Sequence, residues 1–355
     1  MGADDCRTIE RGDLDAWVSR LLAKADVIAP VRGHGGDEVF ASVVSPEQVL
    51  WSFRNPLLPP KHLLLPQTDT LTQIRRVNGH YQIESPPPPQ PRILLNVRSC
   101  DAVGLAFLRQ MHAQDLPDAS VLSRYDALTV ISLACGQPCP LGFCVCCDAG
   151  PFLKADFDLQ LTDLGDRLHA EPGTARGKEL LDLAPDLFRP AHPADGEARA
   201  ALERQALASF GKETCHFAAA MRRISTRRVA PELWAKLSPW CLECGGCNFA
   251  CPTCYCFGVS DRSDGIGCTT RCRTWDSCQY AEFTLEASGH NPRAQPAERM
   301  KRRFYHKVSA QYFQRDGRVG CVGCGRCVQV CMGTTDMPAV VGAIRRGAWS
   351  PGRPA

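Results

Sequence analysis

Two cysteine runs constrain this chain more than any other feature. In "CLECGGCNFACP" (241–252) and "CVGCGRCVQVCM" (321–332), Cys241, Cys244, Cys247 and Cys251 follow the spacing C-x2-C-x2-C-x3-C. Cys321, Cys324, Cys327 and Cys331 repeat it 80 residues later. Three thiols at two-residue gaps in a short loop turn toward one centre. The fourth, three residues on, has turned away and, where two such runs occur, ligates the cluster of the other run. The spacing therefore predicts two [4Fe–4S] clusters, one on Cys241, Cys244, Cys247 and Cys331, the other on Cys321, Cys324, Cys327 and Cys251. Zinc takes C-x2-C pairs and four ligands per site, which three-plus-one runs do not supply. The second run departs from the pattern in one place: Met332 stands where Pro252 follows the first. Proline is not a ligand, so the change bears on turn stiffness and local hydrogen bonding.

The remaining composition supports metal rather than disulfides. Of 21 cysteines, only Cys6 precedes Cys100, five lie between Cys135 and Cys147, Cys215 stands alone, and thirteen fall from Cys241 to Cys331. The start, MGADDCRTIERGD, is polar and has no apolar signal core, which points to the cytoplasm and its reducing conditions. Runs such as ILLNV and ALTVISLA are shorter than the ~20 residues of a membrane helix. With 41 basic and 38 acidic residues, the charge balance argues for neither nucleic acid nor a membrane surface.

The cysteine distribution divides the chain into residues 1–230 and 231–355. The first region alternates helix and strand signals. Residues 13–24 carry apolar positions at helical spacing, and 72–84 reads as a hairpin around Asn78-Gly79. "SPPPPQP" (85–91) is a stiff connector; RILLNV (92–97), ALTVISLA (127–134) and FDLQLTDL (157–164) are buried-strand candidates. Residues 196–210 and 212–223 read as helices. RGHGGDEV (32–39) lacks the spacing of a nucleotide loop and reads as a turn. The expectation here is an α/β domain. The second region has little strand character: loops with short helices around the cysteines, and helices over AEFTLEASG (281–289) and 297–314. An all-α domain is expected there.

These motifs have a familiar order. "CLECGGCNFACPTCYCF", "RCRTWDSC" (271–278), "FTLEASGHNPR" (283–293), "RRFYHK" (302–307) and "CVGCGRCVQVC" resemble the iron–sulfur beta subunit of soluble NAD(P)-linked [NiFe] hydrogenases (sulfhydrogenases). That family is similar in turn to the electron-transfer subunit of anaerobic sulfite reductases. Upstream, "PKHLLLPQTDTL" (60–71), "VRSCDAVGL" (97–105) and "CGQPCPLGFCVC" (135–146) match as well. The resemblance implies a dicluster domain of the α-helical ferredoxin type. It also implies an electron relay, without a catalytic site of its own, between the small subunit of a [NiFe] hydrogenase (which accompanies a large subunit) and a flavin-containing, NAD(P)-reactive subunit. The alternatives are the same relay in an anaerobic sulfite reductase, a cluster-based redox sensor, and a zinc-stabilised binding module.

Cys100, Cys135, Cys144 and Cys146 match the family's remaining cysteines and suggest a third [4Fe–4S] cluster. If the strands before Cys100 and Cys135 are neighbours, both thiols emerge at one sheet edge, where the C-x-C pair closes the site. Cys139 and Cys147 are rival ligands, and structural zinc or ordinary buried thiols are the alternatives. Cys254, Cys256 and Cys278 also match family positions but have no place in the eight-ligand count; Cys254 is a packing thiol or a replacement ligand. Cys6, Cys215, Cys268 and Cys272 carry no assignment. Arg271, Arg273 and Trp275 pack beside the clusters or form a salt-bridged helix start, and His290 and His306 are candidate hydrogen-bond partners. The basic run RMKRRFYHK (299–307) offsets cluster charge, docks a partner subunit or faces solvent; a nucleic-acid role does not fit the near-neutral chain.

Overall fold

Apolar runs without polar alternation form strands that are covered on both faces. A computed structural model of the protein describes residues 5–210, 215–312 and 317–349. Its main sheet grows from such runs. In chain order the elements are β1 (Arg7–Glu10), α1 (Leu14–Lys24), β2 (Asp26–Arg32), β3 (Glu38–Ser42), β4 (Thr68–Val77), β5 (His80–Glu84), β6 (Arg92–Arg98), α2 (Ser99–His112), α3 (Ala119–Asp126) and β7 (Leu128–Leu133). There follow β8 (Leu159–Asp163), β9 (Arg167–Pro172), α4 (Ala175–Asp182), β10 (Phe188–Pro190), α5 (Pro193–Ala208), α6 (Phe217–Ser225) and α7 (Pro231–Leu237). Last come α8 (Gly246–Phe249), β11 (Phe257–Gly265), β12 (Cys268–Trp275), α9 (Pro296–Val308), α10 (Arg326–Val330) and α11 (Met337–Arg346).

Eight strands pair in the order β10-β1-β9-β8-β7-β6-β2-β3, and β2, β6, β7 and β8 run parallel. Strand β6 sends Ile93 and Leu95 into a core closed by Trp17, Val18 and Leu21 of α1. Leu94 and Val97 enter the opposite core, which also holds Leu105 and Leu108 of α2, Phe304 of α9 and Val340 of α11. That second core continues unbroken from the sheet into the cysteine-rich region. Between Leu95 and Val97 the register shifts at Asn96, which has φ 59°. This bulge restores the inward direction just before the strand delivers Cys100.

The hairpin expected around Asn78-Gly79 is present, with φ of 51° and 83° at the two turn residues, as a type I′ turn needs. The polyproline segment is extended, and Gly33–Gly36 turns β2 into β3. Part of the 212–223 helix expectation lies outside the described residues; α6 begins at Phe217.

The expected all-α dicluster domain is overturned. Residues 257–275 form a hairpin, β11 and β12, in a second sheet of order β11-β12-β4-β5, so sequence-distant hairpins pair through β12 and β4. Almost every residue of β11 is exposed, so no apolar alternation marks it. The hairpin is held by its backbone ladder, with Arg271 reaching Asp261 at 2.7 Å and Thr270 bonded to Asp264. The helix expected over 281–289 is reduced to a single 3-10 turn, Ala281–Thr284. The next expected helix ends at Val308.

Candidate metal centres

Each cysteine run curls through two left-handed residues at equivalent positions: Glu243 (φ 52°) and Gly245 (φ 71°) in the first, Gly323 (φ 63°) and Gly325 (φ 80°) in the second. Each then enters a short helix, α8 or α10, whose first turn closes on the glycine carbonyl: Asn248 N donates to Gly245 O at 2.8 Å and Val328 N to Gly325 O at 2.9 Å. Such a curl turns amide groups inward and favours an anionic occupant. Amides reach sulfur here, from Gly323 to Cys321 at 3.4 Å and from Thr335 to Cys331 at 3.2 Å. Glycine is required at Gly323 and Gly325 for a second reason. A Cβ there would meet Phe143 O at 2.5 Å or Leu141 O at 2.4 Å, so the second run packs flush on the 141–144 loop.

Three cavities are rimmed by thiols. One is lined by Cys241, Cys244 and Cys247 with Cys331 from the distant run. Another is lined by Cys321, Cys324 and Cys327 with Cys251 from the first run, and Cys247 and Cys254 also border it. The two cavities thus adjoin at Cys247. The remaining one gathers Cys100, Cys135, Cys139 and Cys144, with Cys324 on its wall. Cys146 does not line it; it lies in the electrostatic neighbourhood of Cys147 and Cys215. In each the thiols ring a void, and among the described residues no His, Cys, Asp or Glu side chains converge as three or more on a point suited to a single ion.

The surrounding charge fits an anionic group. On α9, Arg299, Arg303 and Lys307 recur every four residues and are all buried, beside a parallel apolar stripe of Met300, Phe304 and Val308. Arg299 is neutralised by Glu243 at 2.6 Å. Among the described residues Arg303 donates only to Thr335 O, at 3.1 Å, and Lys307 to Thr253 O and Oγ1 at 3.0 and 2.6 Å. Lys61, equally buried, donates to the carbonyls of Asn248 and Cys254 at 3.0 and 3.1 Å and lies over the Trp275 ring. None of these three cations has a carboxylate partner among the described residues. A buried unpaired cation is costly unless an anion completes it, and four thiolates on a [4Fe–4S] core supply one. Arg303 borders both dicluster cavities and Lys307 one of them. Burial pushes the thiol of Cys247 up to about 11 against the opposing pull of Arg303, and that of Cys324 up to about 12 against Arg326. Thiols so placed give up their protons to metal rather than to solvent.

The other expected residues fall as follows. Asn248 Nδ2 donates to Cys278 at 3.3 Å and Cys254 at 3.7 Å, and Gln279 Nε2 reaches Cys278 at 3.5 Å. The Cys278 thiol is drawn down to about 5, first by the Cys256 thiol beside it and then by these amides against the effect of burial. Arg273 lies on a strand, not at a helix start, and pairs with Asp69 at 2.7 Å and with Asp118. Trp275 stacks on Phe249. His306 meets the Tyr255 hydroxyl at 2.9 Å; His290 is exposed. Pro252 is buried against Gly104, where a Cβ would come within 2.8 Å, whereas Met332 is 78% exposed. The proline position is a packing contact in the first run and an open surface in the second, which accounts for the departure. Lys61, Asn248 and Gln279 are missed by sequence reasoning, because a lone lysine or amide in an apolar stretch has no periodic signature.

Paired cysteine runs, thiol-rimmed voids and buried cations define an iron–sulfur protein, and residues 240–335 match the family described as "4Fe-4S dicluster domain". Over nearly its whole length the chain is similar to sulfhydrogenase 2 subunit beta of Pyrococcus furiosus, 27% identical over 337 residues, which span 93% of this chain and 96% of that protein. The resemblance drawn from the motifs is thereby borne out. No solved structure matches the chain. Among the described residues no helix is long and apolar enough to cross a membrane.

Proposed function

We propose that the chain is the electron-transfer subunit of a hydrogenase complex. In this reading it relays electrons between the small subunit of a [NiFe] hydrogenase and a flavin subunit that reacts with NAD(P), and it works in the cytoplasm. The observation that carries the reading is the pair of adjoining thiol-rimmed cavities with Arg303 between them and Cys247 common to both. When bound, [4Fe–4S] clusters supply one-electron redox chemistry. The chain's residues supply the rest. Cys241, Cys244, Cys247 and Cys331 hold one cluster, while Cys321, Cys324, Cys327 and Cys251 hold the other. Arg303 and Lys307 balance the charge. The similarity to a sulfhydrogenase subunit favours a hydrogenase partner.

Replacing Cys251 with serine tests the ligand assignment. The expected outcome is a perturbed EPR signal from the cluster on the distant 321–327 run, with the other intact; damage confined to the 241–247 cluster would refute it. Affinity purification of the native complex tests the partner. The expected companions are a nickel-bearing large subunit together with a flavin protein, and a sirohaem protein in their place would overturn the hydrogenase reading.

A further inference from the structure

The cavity outside the dicluster region is built like the other two. Strands β6 and β7 are parallel neighbours, so Cys100, one residue into α2, and Cys135, two residues past β7, emerge together at the carboxyl edge of the sheet. Ligands of open parallel sheets gather at that edge. The 135–150 segment folds back over it and brings Cys139 and Cys144. The fold-back is pinned: Cys135 N donates to Pro151 O at 3.1 Å, Gly142 N to Cys139 O at 2.9 Å, and Phe143 N to Gly323 O at 2.7 Å. The thiols lie within one another's fields, Cys144 with Cys135 and Cys139, and Cys100 with Cys144. Arg98 lines the same void. An all-thiol rim selects zinc or iron–sulfur, and a void ringed at its edge, as in the two dicluster cavities, suits a cluster rather than a single ion.

We propose that Cys100, Cys135, Cys139 and Cys144 hold a third [4Fe–4S] cluster in series with the other two. Cys139 takes the place that the family resemblance gives to Cys146. Cys324 borders this cavity and the middle one, and Cys247 borders the middle one and the first. The relay is therefore linear, with the 321–327 cluster at its centre. Each step moves one electron, oxidising one cluster and reducing its neighbour, with no bond made and no proton transferred. At one outer end Cys244 is exposed, flanked by Leu242 and Met332; at the other, Gln137 and Leu141 are exposed. A buried centre between two solvent-reaching ends is what a relay between two partners requires. The proposal rests on the dicluster reading above.

Iron and acid-labile sulfide in the full-length chain, purified anaerobically, test it together with Mössbauer and EPR spectra of the wild type and the variants Cys139→Ala and Cys146→Ala. Three clusters give about twelve irons per chain. Cys139→Ala is expected to lose about a third of the iron while the coupled signals of the dicluster persist, and Cys146→Ala to keep all of it. About eight irons in the wild type, with or without one zinc, would overturn the third cluster and leave the dicluster reading standing. Loss of iron in Cys146→Ala but not in Cys139→Ala would overturn the ligand set. A wild type without iron would overturn the dicluster reading itself. The wild-type iron count decides the point even if Cys139→Ala does not fold.

Discussion

Arg303 is the buried cation common to both dicluster cavities. Its guanidinium is buried and, among the described residues, donates to a single carbonyl, that of Thr335. A positive charge there favours the reduced, more negative form of a cluster. Arg303→Gln should lower the reduction potentials of both clusters by on the order of 100 mV, the effect of one unit charge ~6 Å away at an effective dielectric of ~20. Redox titration followed by EPR checks this; unchanged potentials would show the guanidinium to be merely structural. Gly323 makes a steric argument instead. Its φ is 63°, and a Cβ would collide with Phe143 O and Cys144 Cα at 2.5 and 2.7 Å. Gly323→Ala combines left-handed strain of ~1–2 kcal/mol with overpacking of ~1–3 kcal/mol. It should lower the denaturation midpoint and lose iron first from the cavities on either side of the 141–144 loop. Equal iron in variant and wild type would refute that view of the contact.

At the scale of elements, what could be read in the sequence follows the strength of each pattern. Helix α1 and strands β6, β7 and β8 sit where apolar periodicity and unbroken apolar runs predict them. The basic run on α9 was legible as a charged helix. Its buried direction was not, because spacing alone does not say which stripe of a helix meets the core. Strand β11 was illegible for the opposite reason: a polar, exposed edge strand pairs through its backbone and leaves no mark in side-chain pattern. Its neighbour β12 is anchored by Arg273, which binds Asp69 of β4 and Asp118 at the start of α3. Burial alone would raise the pKa of both carboxyls; the hydrogen bonds from Arg273, with Arg124 at Asp69, outweigh it and hold them below their usual value. A carboxyl whose folded pKa is depressed contributes stability above its unfolded pKa of ~3.9 and loses it as pH falls through the folded value. Arg273→Gln should therefore be less stable than the wild type at pH 7, with the gap closing as pH falls below ~4. Thermal unfolding of both proteins across this range measures the gap; a pH-independent difference would mean that Arg273 acts by packing.

For the whole molecule, the question is what keeps the sheet edge and the cysteine runs in register. Sequence spacing singles out the eight paired cysteines because ligand geometry is local. The thiols of the remaining cavity depend on which strands are neighbours and on how the 135–150 segment folds back, and neither is encoded in spacing. That is why the sequence, read by resemblance, puts Cys146 in the set and leaves Cys139 as a rival. The structural tie is Arg326, inside the second cysteine run. It is buried, donates to both oxygens of Asp101 at 2.5 and 2.8 Å, and reaches Asn55 Oδ1 and Pro56 O at 2.7 Å. Asp101 follows Cys100 directly on α2, so this ion pair joins the rim of one cavity to the rim of the next. Removing one partner of a buried pair leaves an uncompensated charge and costs about 3–5 kcal/mol, whereas replacing both with apolar groups can be nearly neutral. Arg326→Met and Asp101→Leu should each be destabilised by about that amount, and the double variant should recover most of it in denaturant unfolding. If the pair also sets the spacing of the cavities, the double variant regains stability while electron transfer between the 321–327 cluster and its Cys100-side neighbour stays slow. If stability and transfer recover together, the pair contributes to folding alone.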